Sequence, residues 1–261
     1  FIMAILLCSA CEYKLKPNDD EQDFRIEIQR YDRLESRYLT TGDFSALQQM
    51  NTGYPMETRT LIEDVLQIGE VNDPEINSKF LKFYQDTLLQ TIIADAETQY
   101  ASMEDINRSL DKAFERLEKI LPKLELPTVY AQIGALDQSV VIGDKSIGIS
   151  LDKYLGKDYL PYKKFYSQQQ RSTMTRDFIV PDCLNFYLLS LFPLKNYSNR
   201  SQMEKDLHMG KVMWVVNKIM DTHFFNTKYV DMVDGYMKKN KKVSIKEMLL
   251  SDNYQFIQET G

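Results

Sequence analysis

Histidine is almost missing from this chain of 261 residues: there are only two, His208 and His223. They are not placed at i and i+4, so no helix offers the paired imidazoles that catalytic zinc requires. Glycine is sparse, at ten. Gly134, Gly143, Gly148 and Gly156 lie too far apart to form a phosphate-cradling loop, and no serine sits in a G-x-S-x-G elbow. A basic excess is lacking as well. The formal net charge is −6, which argues against nucleic acid as a partner, because phosphate binding needs a concentrated basic surface. The one dense basic run, at residues 238–242, reads as a solvated helix end and loop. No apolar run is long enough to cross a bilayer, and no internal repeat, low-complexity tract or long linker divides the chain.

What is present suits a folded protein. Hydrophobic residues make up 43% and charged residues 27%, so disorder is not favoured. Tyrosine (16) and phenylalanine (13) together far outnumber glycine, which fits helices packed through large side chains.

The first residues differ from the rest. Phe1 to Leu7 are all apolar and are followed by Cys8-Ser9-Ala10-Cys11, the form of a signal-peptide h-region met after its start. Ser9-Ala10-Cys11 resembles a bacterial lipobox, with Cys11 as the diacylated first residue of the mature protein; Cys8 stands where leucine is commonest. Ordinary cleavage after Ala10, leaving a free Cys11, is the other reading. Residues 14–21 form a polar tether. The expected organisation is a signal remnant at 1–10, a lipidated tether at 11–22 and one domain at 23–261. Cys183 would then be the only remaining thiol, packed as a small apolar group.

The domain opens at residues 24–32 with Phe24, Ile26 and Ile28 alternating with charged residues, which predicts a strand buried on one face. Helices are predicted over 43–53, 58–68 and 75–91. Another starts at Ser102, with Ser102 and Asp105 as a capping pair, and ends at Pro122. Next comes a β-rich tract, 129–133, 140–142 and 146–151, with Gly143-Asp144 as a two-residue hairpin turn. Residues 163–181 are polar and read as loop or partial helix. Asp182 is expected to cap a buried helix at 183–192. Ser201/Glu204 and Ser244/Glu247 form capping boxes, and 228–239 is helical. This order predicts an α+β fold, a mostly helical single domain with a small antiparallel or mixed sheet. Paired carboxylates among Asp152, Asp158 and Asp182 could do acid–base work; the favoured reading makes Asp152 and Asp182 caps. Glu204 and His208 read as a solvated i, i+4 pair.

The run SIGISLDKYLGKDYLPY at 146–162 resembles the signature of the gliding-motility lipoprotein GldB family. The RYDR opening at 30–33, Tyr54-Pro55, LPKLELPTVY at 121–130, Gly210-Lys211 and the terminal stretch 229–250 resemble the same family. The tryptophan- and glycine-rich stretch usual after the Gly-Lys segment is absent, so the chain resembles a shortened member. The resemblance implies a lipoprotein of a Bacteroidetes-type cell envelope, in a structural or assembly role tied to gliding or a related surface machine. Its partners would be the lipid bilayer, through acylated Cys11, and envelope proteins. It also implies a distantly zincin-like shape without the metal motif, since 182–192 holds neither histidine nor glutamate. No catalytic residue, cofactor or metal ligand is expected. The alternative is a degenerate zinc-peptidase-like hydrolase or ligand-binding lipoprotein.

Overall fold

The computed structural model describes residues 24–255 and 257. In chain order the first half contains β1 (Ile28–Gln29), α1 (Tyr31–Thr41), α2 (Phe44–Gly53), α3 (Pro55–Arg59, continued by a π-helical turn at Thr60–Val65), α4 (Ile76–Phe83), α5 (Thr87–Gln99) and α6 (Glu104–Ile120). The tract that follows holds β2 (Thr128–Gln132), β3 (Val140–Ile142) and β4 (Ser146–Ser150), with 3₁₀ turns at Leu151–Lys153 and Leu160–Lys164. The rest is helical: α7 (Gln168–Arg171), α8 (Ile179–Leu191), α9 (Gln202–Met220), α10 (Lys228–Lys239) and α11 (Ile245–Leu250). The fold is α+β, mostly helical around a small mixed sheet.

The four strands are ordered β1-β2-β4-β3. β1 and β4 run parallel to β2, pairing Ile28 with Val129 and Ile147 with Val129, while β3 returns antiparallel on β4. The alternation at 24–32 is real, because Ile26 and Ile28 are buried and Arg25, Glu27 and Gln29 exposed. Only Ile28-Gln29 pair, however, and the chain turns into α1 at Tyr31. The outer edge of this short strand is covered by α6. Asn107 Oδ1 accepts the Ile28 amide at 3.1 Å, and Asp111 accepts that of Arg25 at 3.0 Å. Edge donors that would otherwise recruit another strand are thereby satisfied.

Several local expectations change for identifiable reasons. The helix expected over 75–91 is two, because the Asp86 carboxylate accepts the Leu88 and Leu89 amides and starts α5 anew. The hairpin turn sits on Asp144-Lys145, since Gly143 and Ser146 are already joined by a 2.9 Å backbone bond. Ser102 and Asp105 do not form a capping box on α6: the N-cap is Met103, Ser102 Oγ accepts only the Glu104 amide, at 3.4 Å, and Asp105 is held by Arg176. Asp182 lies within the first turn of α8 and is no cap either. Ser201/Glu204 and Ser244/Glu247 do form full capping boxes.

Two glycines record close approaches. At Gly148 on β4 an added Cβ would lie 2.6 Å from the Tyr130 ring, which crosses the sheet face there. At Gly210 on α9 it would lie 2.7 Å from the Tyr229 Cβ, where α10 packs.

Candidate functional site

β1, β2 and β4 run parallel and end on the same side of the sheet, where the signature tract leaves β4 after Ser150. Around it the fully buried Glu35, Tyr84 and Asp152 and the half-buried Lys153 hold the backbone of residues 133–137. Glu35 of α1 accepts the Ile133 amide through Oε2 at 2.8 Å, and the Tyr84 hydroxyl donates to the Ile133 carbonyl at 2.6 Å. Asp152 accepts the Gly134 amide at 2.8 Å and the Leu136 amide at 2.5 Å. Lys153 donates to the carbonyls of Leu136 and Asp137, at 3.1 and 3.0 Å. These bonds oppose the strain of two successive residues in the left-handed region, Ala135 (φ 51°) and Leu136 (φ 66°).

Tyrosines complete the knot. Tyr162, buried, donates to the Asp152 carbonyl and accepts the Leu155 amide at 2.8 Å. Tyr100 donates to the Tyr154 carbonyl at 2.6 Å, and Tyr154 to Asp182 at 2.9 Å. Gly156 has φ 115°, a conformation that only glycine adopts readily, and its amide reaches the Met174 carbonyl at 3.0 Å. Leu151, Tyr154 and Leu155 are buried among them. Most of the signature is thus occupied in fixing the path of the chain.

The electrostatics follow from burial. Glu35 is pushed well above the usual carboxylate range, chiefly by desolvation, with the charges of Asp152 and Asp32 adding to it and the Ile133 amide opposing. Desolvation also raises Asp152, against the pull of its two amide donors. Asp182 rises to about 7 by the same cause, and burial lifts the Cys183 thiol out of the nucleophilic range. Glu35 Oε1 and Gln132 Oε1 have no hydrogen-bond partner.

The three aspartates considered for acid–base work do not converge. Asp152 clamps a loop, Asp182 receives Tyr154, and Asp158 is exposed. None of the three caps a helix. Glu35, by contrast, was not singled out from the sequence, although its spacing with Tyr31 and Leu39 on one face of α1 was available.

The Gly-Lys segment forms a second polar knot. Lys211 is 1% exposed; its ammonium donates to the Ser251 carbonyl at 2.6 Å and lies 4.8 Å from the Tyr254 ring centre. Burial lowers its pKa to about 8. His208 is buried beside it, with Nδ1 2.9 Å from the Tyr254 hydroxyl and its pKa lowered to about 4, mainly by desolvation. The expected solvated Glu204–His208 pair is absent, since Glu204 turns to Ser201 and Arg200. His223 is exposed on the loop after α9, lining a hollow of about 150 Å³ with Trp214, Asp231 and Asp234. Trp214 is buried and donates from Nε1 to Asp234 at 2.9 Å.

Among the described residues no three His, Cys, Asp or Glu side chains gather closely enough to hold a metal ion. No helix among them is long and apolar enough to cross a membrane. Cys11 and the signal and tether residues lie outside the described residues.

No curated protein and no solved structure matches this chain. One family does, described as gliding motility protein GldB, over residues 12–228. The match takes in both polar knots' anchoring segments at 146–162 and 210–211. It stops at the first residue of α10, so the resemblance read in the terminal helices falls beyond it. Spanning most of the chain, it establishes that this protein belongs to the GldB family of gliding motility proteins.

Proposed function

We propose that this protein is a membrane-anchored lipoprotein of the cell envelope that serves gliding motility, or a related surface machine, as a structural or assembly component and not as an enzyme. The observation that carries the non-catalytic part is the use of the signature residues. Asp152, Lys153 and Tyr162 spend their polar atoms on nearby backbone, Lys153 also on the Tyr166 hydroxyl, and Tyr154 donates to the Asp182 carboxylate. A general acid or base has to reach a substrate proton, and a carboxylate that is fully buried and bonded to two amides has no such freedom.

Anchoring rests on Ser9-Ala10-Cys11 following an apolar run and preceding a polar tether. One acyl chain holds a protein to a bilayer only marginally, whereas two or more hold it stably. A diacylated Cys11 would therefore suffice without a spanning helix. Growth of the producing bacterium with radiolabelled fatty acid tests this. The wild-type chain is expected to take up label and to fractionate with membranes, and Cys11→Ala to lose both. Label retained in Cys11→Ala would overturn the anchor.

A further inference from the structure

Beyond the two knots, residues 157–165, KDYLPYKKF, bring large exposed apolar side chains together with several lysines that join no ion pair among the described residues. The turn is pinned from beneath, because Tyr162 is fully buried and the Tyr159 hydroxyl donates to Asp95 at 2.6 Å. Between and beyond these anchors Leu160 is 72% exposed and Phe165 56% exposed. Lys157, Lys163 and Lys164 are exposed and join no ion pair among the described residues. Residues 157–165 hold three lysines, Lys157, Lys163 and Lys164, against one aspartate, Asp158, within a chain whose net charge is −6; Arg171 follows, while Arg176 is paired with Asp105. Phe44, another exposed apolar group, instead adjoins Asp43, which is paired with Arg37.

We infer that this turn is a contact surface for an anionic membrane. Leu160 and Phe165 enter the headgroup layer, and Lys157, Lys163 and Lys164 lie along the lipid phosphates. The charge is complementary to an anionic leaflet and opposite to that of the protein as a whole. Side chains projecting from a rigid short turn suit a fluid interface, which yields around them and needs no matching pocket. The lysines can lay their stems along the apolar boundary while the ammonium groups stay in water. This contact needs no acyl chain and is independent of the reading of Cys11.

Co-sedimentation with vesicles tests it, using the full chain carrying Cys11→Ser so that no lipid is attached. Phosphatidylcholine vesicles with and without phosphatidylglycerol are compared. The chain is expected to favour the anionic vesicles, and salt to weaken that preference. Each lysine near such a surface is worth about a five-fold change in partition, so Lys163→Gln with Lys164→Gln should lower anionic binding roughly 25-fold. Leu160→Ser with Phe165→Ser should also lower it, with melting temperature unchanged because both residues are exposed. The apolar run at residues 1–7 is common to all variants and contributes equally to both vesicle types. Equal binding to neutral and anionic vesicles, or lysine variants that bind like the parent, would overturn the inference. So would a stoichiometric complex of this turn with an acidic protein in a chain indifferent to vesicles.

Discussion

Asp182 and His208 are both held near neutrality by burial, and they bend stability with pH in opposite directions. The Asp182 carboxyl titrates at about 7 in the folded protein, against roughly 3.9 in an unfolded chain. The folded state therefore holds the extra proton between those values, and stability is lost as pH rises through that window. The ceiling is about 4 kcal/mol, reduced in practice because the side chain is only partly buried. His208 titrates at about 4 when folded, against about 6.5 unfolded, so its contribution is present above 6.5 and lost as pH falls through 4. Asp182→Asn should gain on wild type between pH 4 and pH 8, by on the order of 2 kcal/mol. His208→Gln should lose less than wild type on going from pH 7 to pH 4. Urea midpoints across that range check both, and curves parallel to wild type would refute the assignments. Neither role could be read from the sequence. Cys183 was legible as a core residue because its neighbours are apolar. Burial of His208 and Lys211 depends on the stretch 249–254 returning over α9, a contact made some forty residues later in the chain.

The helix starts show what local sequence can specify. Ser201/Glu204 and Ser244/Glu247 formed as expected because both partners lie within one turn. Ser102/Asp105 formed no box: Ser102 keeps one first-turn amide, that of Glu104, while Arg176, distant in the chain, takes the Asp105 carboxylate. The strand expected at 24–32 shrank because only two of its residues find a partner on β2. Gly210 is the element-scale case that local rules would misjudge. Replacing a helix-interior glycine by alanine usually adds about 1 kcal/mol of stability. Here the new Cβ would meet the Tyr229 backbone carbon at 2.9 Å as well as its side chain, so α10 has to shift. Gly210→Ala is expected to destabilise by about 1–3 kcal/mol, read from the denaturant midpoint. A stabilised variant would mean that the two helices can part freely.

For the molecule as a whole, the sequence carried the fold class and the family, since both rest on periodicity and on motifs written in continuous stretches. It did not disclose that Glu35 joins Asp152 in clamping 133–136, because residues from α1 and from the turn after β4 meet only in the folded chain. The helix α8 carries Asn185, Tyr187 and Ser190 and has neither histidine nor glutamate. Neutral amides and hydroxyls are poor zinc ligands beside imidazole or thiolate. The most direct test is made in the bacterium that carries the protein: its coding sequence is deleted, and either the wild-type chain or Cys11→Ala is returned at matched protein level. Single-cell gliding is then measured. The account predicts that deletion stops gliding, that wild type restores it and that Cys11→Ala does not. Normal gliding in the deletion strain, or full rescue by Cys11→Ala, would contradict it.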